Sequence, residues 1–312
     1  MSLAISIQNL TKYYGSFLAL DGLHLEIQEG EFFAFLGPNG AGKTTTINCL
    51  TGLSNFQSGS VSIFGNDVKN DYRQARRMIG LSPQEFNFDP FLSVEEILRF
   101  QGGYFGLTGK EAKKRTHALL KSFELLEKKK LDHKKLSGGM KRRLTLARAM
   151  VHEPRILILD EPTSGLDLES RYELWEFLRA QNRNGTTIFL TTHYIEEAEK
   201  LCNRVGIIHQ GKIIAVDDTR ALTQRLAMDQ IRIRITRQLQ EVPLAFSAYD
   251  CKLSEEGNVL IFQMNRESLK DVMDLLHQES LHVADIDIHQ SRLEDAFLKI
   301  VGWPKHEQIH RF

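Results

Sequence analysis

At 312 residues the chain has room for one large domain and one small one, each with its own core. Its 40 Lys and Arg balance 40 Asp and Glu, which excludes a protein built around a polycationic face for nucleic acid or a membrane surface. Cys49, Cys202 and Cys251 are odd in number, widely spaced and free of any CxxC pair, which excludes a disulfide framework and a cysteine-ligated zinc site and predicts a reducing compartment.

The opening MSLAISIQNLTKYYG lacks the charged start and apolar core of a secretory signal, and no stretch has the apolar length of a membrane span. A soluble chain is expected, with any membrane role resting on a partner. AISIQNL and GLHLEIQ alternate apolar and polar residues, the pattern of half-exposed antiparallel strands. FFAFLG (32–37), ILILDE (156–161) and TIFLTTH (187–193) are instead continuous apolar runs. They predict buried parallel strands, with chemistry at their C-terminal ends. Between the first two lie SVEEILRFQGGYFGL and KEAKKRTHALLKSFELLEKKK, a helical insertion placed at about 86–150. RVGIIHQGKIIAVDD reads as a hairpin about Gln210 and Gly211. After a main domain at 1–218, the strands DQIRIRI, NVLIFQM and VADIDIH and the helices ESLKDVMDLLHQE and RLEDAFLKIVG predict a small α+β accessory domain over 219–312. No repeat or low-complexity linker joins the two.

Three motifs carry chemistry. GPNGAGKTT (37–45) fits G-x-x-x-x-G-K-[ST] through Gly37, Gly42, Lys43 and Thr44, and it stands between an apolar strand and the helical TTTINCLTGL. Backbone N–H groups of such a loop cradle phosphates, Lys43 neutralises their charge, and the Thr44 hydroxyl suits magnesium. In ILILDEP, Asp160 ends a buried strand where it can hold the water shell of that ion, and Glu161 can accept a proton from an attacking water. Together the two motifs indicate nucleotide hydrolysis. LSGGMKRRLTLARAM puts Ser137, Gly138 and Gly139 ahead of a helical run. Ser137 is either an ordinary N-cap with a glycine loop, or part of an anion site where bare backbone presses against a ligand.

In chain order GPNGAGKTT, Gln84 in LSPQEF, LSGGM, ILILDEP, SGLD (164–167) and the TTH ending at His193 resemble the ATP-binding cassette (ABC) ATPases over about residues 3–218. The resemblance implies an α/β P-loop NTPase core with an antiparallel β subdomain and a helical insertion, and ATP and Mg2+ as cofactors. Gly37, Pro38, Asn39, Gly40, Ala41 and Gly42 would wrap the phosphates, with a further contact from Thr45. Ser137 to Gly139 would close over the γ-phosphate held by a second subunit's phosphate loop, in a homodimer or a heterodimer. Gln84 would sense the magnesium and the lytic water and signal to a permease. His193 would contact the γ-phosphate, and Asp167 would reach across the dimer interface. Tyr14 would stack on adenine, with Tyr13 as its competitor.

Met140 stands where many members of the family have glutamine, a departure similar to the drug-resistance and exporter branch. SRLEDAFLKIVG resembles that branch's closing helix, although Glu294, Asp295 and Phe297 also read as two exposed acids and a core aromatic. An exporter ATPase driving a separate permease from the inner face of the cell membrane is therefore expected. The rivals are a soluble nucleotide-gated switch and a small-molecule kinase, and the second leaves LSGGM and His193 without a purpose.

The basic run Lys128, Lys129, Lys130, Lys134, Lys135, Lys141, Arg142 and Arg143 is diluted by Glu124, Glu127 and Asp132 and has no interleaved aromatics. It reads as a solvated face, and no nucleic acid is expected. Phe86, Phe88 and Phe91 are either core or a groove for a permease helix. His306 and His310 have helical spacing but no cluster beside them, so no metal site is expected.

Overall fold

The computed structural model describes residues 2–226, 229–264 and 268–289, together with Leu293 and Phe297. Glu294, Asp295, His306, His310 and most of the expected closing helix lie outside the described residues; Phe297 itself is helical and buried. The chain divides into two compact units, Met1–Asp217 and Asp218–Phe312.

In the first unit, β1 (Leu3–Tyr14) and β2 (Phe17–Gln28) form an antiparallel hairpin. After β3 (Phe32–Leu36) and α1 (Lys43–Leu50), β4 (Ser58–Ile63) returns to pair with β1, and the two-residue β5 (Asn66–Asp67) edges that sheet in the order β2-β1-β4-β5. Then follow α2 (Tyr72–Arg77), β6 (Ile79–Ser82), α3 (Val94–Tyr104), α4 (Gly109–Ser122), α5 (Gly138–Ala149), β7 (Ile156–Asp160), α6 (Leu168–Arg183), β8 (Thr187–Thr192), α7 (Ile195–Leu201), β9 (Arg204–His209) and β10 (Lys212–Asp218). The second sheet runs β10-β9-β3-β8-β7-β6, with parallel pairing from β9 across to β6. The three apolar runs are its buried strands: every residue of β3, β7 and β8 is buried. Such strands need cover on both faces, which is why their sequences do not alternate.

The helices between β6 and β7 start and stop on local chemistry. Ser93 and Glu96 form a reciprocal capping box at α3. The sequence suggests a helix through KSFELLEKKK, yet α4 ends at Ser122. Glu124 turns left-handed (φ 55°), and the amides of Glu124 and Leu125 bond back to the carbonyls of Lys121 and Leu120 at 3.2 and 2.8 Å. This is a Schellman stop, sealed by the buried Leu120 and Leu125. The β9–β10 hairpin turns through Gln210 and Gly211, both at positive φ (48° and 76°), as a tight two-residue hairpin turn requires.

The second unit begins with α8 (Thr219–Leu226), whose first amides are accepted by Asp218. Then come β11 (Asp229–Ile235), the short β12 (Asp250–Leu253), β13 (Val259–Met264), α9 (Leu269–Gln278) and β14 (Val283–His289), in an antiparallel sheet of order β12-β13-β11-β14. Alternation decides its faces. Ile231, Ile233, Ile235, Leu260, Phe262 and Met264 join Val272 and Leu276 of α9 in one core, while Arg232 and Arg234 stand in register with Asp287 and Asp285 on the other face.

Phe189 lies at the centre of the main core, stacked on Phe33 (6.0 Å between ring centroids) and tilted against Phe35 (5.7 Å). Phe189→Ala is expected to cost about 3–5 kcal/mol. Urea and thermal unfolding of the variant should therefore show a clearly lowered midpoint, and an unchanged midpoint would contradict this packing.

Candidate nucleotide site

The loop between β3 and α1 is shaped by its own packing. A Cβ on Gly37 would come within 2.4 Å of the Ile208 carbonyl oxygen, and Gly42 holds φ 112° with the Leu20 side chain 2.8 Å from where a Cβ would sit. No other residue type fits either position without moving β2 or β9. The loop ends in α1, whose first residue is Lys43. The Lys43 side chain is buried, and its ammonium donates to the carbonyls of Gly37 (2.7 Å) and Pro38 (3.1 Å) and lies 3.2 Å from Glu161 Oε1.

Asp160 and Glu161 leave the sheet at the end of β7. Asp160 is buried and accepts from the hydroxyls of Thr44 (2.9 Å) and Thr191 (2.6 Å). Glu161 adopts φ 46°, outside the strand region, and its amide bonds to the carbonyl (3.1 Å) and hydroxyl (3.2 Å) oxygens of Thr191. Its carboxylate gathers three groups from separate elements. Lys43 lies at Oε1, while Gln84 Nε2 donates to Oε2 at 3.3 Å and His193 Nδ1 stands 3.2 Å from the same oxygen. This His193 contact is close but falls outside strict hydrogen-bond geometry. The His193 ring beside Glu161 is the largest influence holding this carboxyl below its ordinary pKa; burial opposes it, and the Lys43 charge reinforces it. Glu161 is therefore an ionised acceptor at neutral pH.

Lys43, Thr44, Gln84, Asp160, Glu161 and His193 are thus brought together by direct contacts. Thr191 belongs with them and was missed by sequence reasoning. Its signal lay in TTH, because hydroxyls at the end of a fully buried strand require internal partners. Hard oxygen donors at Thr44 and Asp160 fit magnesium, which is commonly held by one or two protein groups together with substrate phosphates.

The remaining candidates sit apart from this cluster. Tyr13 and Tyr14 are both exposed at the end of β1, with the Lys12 ammonium 4.5 Å from the Tyr14 ring centroid. Asp167 caps α6, accepting from the Ser170 amide at 2.8 Å. Ser137 does cap α5, accepting from the Met140 amide at 3.3 Å. The glycines behind it are helical and not a loop. A Cβ on Gly139 would meet Ser170 Oγ at 3.1 Å, whereas one on Gly138 would meet nothing within 4 Å. Asn39, Gly40, Ala41 and Thr45 occupy the turn and the first turn of α1. Of the three phenylalanines after Gln84, Phe88 is buried, Phe86 is 36% exposed and Phe91 is 92% exposed, so neither single reading of the trio holds. Arg142 is a clear departure: expected on a solvated face, it is 3% exposed.

The ABC transporter family profile matches residues 20–164. A Nod factor export ATP-binding protein I from Burkholderia lata is 45% identical over 236 residues, covering 73% of this chain and 76% of that one. The linearmycin resistance ATP-binding protein LnrL of Bacillus subtilis is 35% identical over 96% of this chain and 98% of its own. Among solved structures, a dimeric bacterial ABC transporter cassette, MJ0796, superposes with a TM-score of 0.64 at 30% identity, covering 69% of this chain and 98% of that one. The matched segment contains the phosphate loop, Gln84, Ser137 to Gly139, Asp160 and Glu161, and the full-length relatedness extends through the second unit. The chain belongs to the ABC transporter family, as an ATP-binding and ATP-hydrolysing subunit.

Proposed function

We propose that this subunit powers an exporter, acting as a dimer on the cytoplasmic face of the cell membrane through a separate permease. The observation that carries the reading is the convergence of Lys43, Gln84 and His193 on the Glu161 carboxylate, next to the Thr44–Asp160 pair. The relatives are named for export and resistance, and among the described residues no helix is long and apolar enough to cross a membrane, so the transport path belongs to another chain. Phe91, Phe100 and Tyr104 are exposed, and a cavity of about 300 Å³ lined by Leu53, Leu81, Pro83, Phe105 and Arg148 adjoins the Gln84 segment. These features favour a permease contact there.

In this reading the loop amides of 37–45 and the Lys43 ammonium bind the ATP phosphates. Thr44 and Asp160 hold magnesium, which supplies charge neutralisation on the phosphates when bound. Glu161 takes the proton of the attacking water, while His193 and Gln84 orient the reacting groups around it. Tyr14 stacks on adenine. Ser137 to Gly139 and Asp167 serve the site of the second subunit, and Gly138 supports this, because among the described residues nothing within 4 Å of a Cβ there requires a glycine.

Tagged Glu161→Gln, purified from detergent-solubilised native membranes with MgATP, should bring down a polytopic membrane protein in stoichiometric amount. Recovery of soluble partners alone, with the ATP-bound dimer demonstrably formed, would replace the exporter reading with a soluble switch. The same variant should bind ATP and lose about 100- to 10,000-fold in turnover. Lys43→Ala should lose ATP affinity, which a fluorescent nucleotide titration would read directly.

The ionisation of Glu161 also predicts a pH dependence. Its folded pKa is lowered, so its charge adds stability that is complete above the unfolded value of about 4.3 and is lost as pH falls through the folded value. Wild type should therefore melt above Glu161→Gln at pH 7, and the gap should close below about pH 4. A gap that widened on acidification would mean that the carboxylate is not held by Lys43 and His193.

A further inference from the structure

Arg142 sits in α5, the helix that begins at Gly138 and is capped by Ser137. Its guanidinium reaches out of that helix to the segment leaving β6. Nη1 donates to the Pro83 carbonyl at 2.9 Å, and Nη2 donates to the Gln84 carbonyl at 3.2 Å. The same group lies 5.0 Å from the Phe86 ring centroid. Six residues further along α5, Arg148 donates to the Asn87 carbonyl at 2.8 Å and lies 5.0 Å from the Phe88 ring centroid. The Phe86 and Phe88 rings are themselves parallel, 6.4 Å apart. Residues 83–88 are therefore fastened to α5 through both backbone and rings.

The other end of this tie is the reaction site. Gln84, whose carbonyl is held by Arg142, donates its side-chain amide to Glu161 Oε2. A continuous path runs from Ser137 along one helix to Arg142, across to Gln84, and from there to the Glu161 carboxylate. Two consecutive carbonyls outside any sheet ladder suit the planar two-donor fork of arginine, and a lysine could satisfy only one with comparable geometry. Stability alone does not account for this residue, because its Nε is buried without a hydrogen-bond partner, a cost that an apolar side chain would avoid.

We propose that Arg142 is a positioning residue for ATP hydrolysis, coupling the helix that carries Ser137 to Gly139 to the placement of Gln84 against Glu161. The proposal rests on the roles assigned above to Gln84 and Glu161. When nucleotide engages the start of α5, the displacement of that helix reaches Gln84 through the guanidinium and not through the phosphate loop. Arg142 touches neither the phosphate loop nor the reacting atoms, so it acts on turnover and leaves nucleotide affinity nearly unchanged.

The test is a double-mutant cycle on the purified full chain, combining Arg142→Met with Gln84→Ala and measuring steady-state ATPase activity at saturating MgATP, fluorescent nucleotide affinity and melting temperature for each variant. Arg142→Met is expected to lower kcat about 10-fold or more with affinity within about 2-fold of wild type, and Arg142→Lys to recover part of that loss. The double variant should be no slower than Gln84→Ala alone. Losses that multiply in the double variant would sink the coupling while leaving the role of Gln84 intact. A Gln84→Ala variant with wild-type kcat would sink the assigned role of Gln84 and the coupling with it. If Arg142→Met does not fold, the cycle is run with Arg142→Lys, and the same two outcomes decide.

Discussion

Successive side chains on a β-strand point to opposite faces, so a straight strand ending in Asp160 and Glu161 would deliver only one carboxylate to the phosphate loop. The chain avoids this by leaving the strand at Glu161, with φ 46° and its amide bonded twice to Thr191. A non-glycine residue in that region costs about 1–3 kcal/mol and persists only where its surroundings over-determine it. Here the surroundings are two fully buried parallel strands and a threonine whose hydroxyl donates to the Asp160 carboxylate and accepts from the Glu161 amide. Asp160 stays beside Thr44, while Glu161 swings to Lys43, Gln84 and His193. The site depends on this one bend.

Electrostatics follows from the bend. Glu161 is almost buried, which by itself would favour the neutral acid, yet the His193 ring and the Lys43 ammonium reverse that preference. Lys43 is equally dependent on Glu161, since a buried ammonium needs a counter-charge as well as the two loop carbonyls that it meets. Each charge is tolerable because the other is there.

Legibility in the sequence tracked how local the cause was. The three apolar runs appear as β3, β7 and β8 because burial on both faces writes itself into every residue. The places of the glycine loop before α1 and of Asp160 at the end of β7 are equally plain in the sequence, since glycine spacing and a strand-end carboxylate are short-range patterns. The edge strands were harder: β5 has two residues and β12 four, too short to show a period. The early end of α4 was hidden because its stop uses Glu124 in place of the usual glycine. Arg142 was misread for a related reason. A run of basic residues looks solvated in one dimension, and only the approach of residues 83–88 across the fold turns this one inward.

Among the glycines of the two nucleotide motifs, the fold accounts for some and not for others. Gly37 and Gly42 are dictated from within, by the Ile208 carbonyl and by a left-handed backbone. Gly139 is crowded only by the end of the Ser170 side chain, and Gly138 by nothing. Glycine in a helix costs about 1 kcal/mol against alanine, so Gly138, which no described residue crowds, weakens the start of α5 for no gain inside this chain. Under the composite-site reading the compensation lies in a second molecule, where bare helix amides close on a phosphate. The same reading gives a reason for the buried guanidinium of Arg142, four residues beyond Gly138. A helix whose start is completed only by a second subunit can report that event to Glu161 only if something rigid joins it to Gln84, and Arg142 makes that connection.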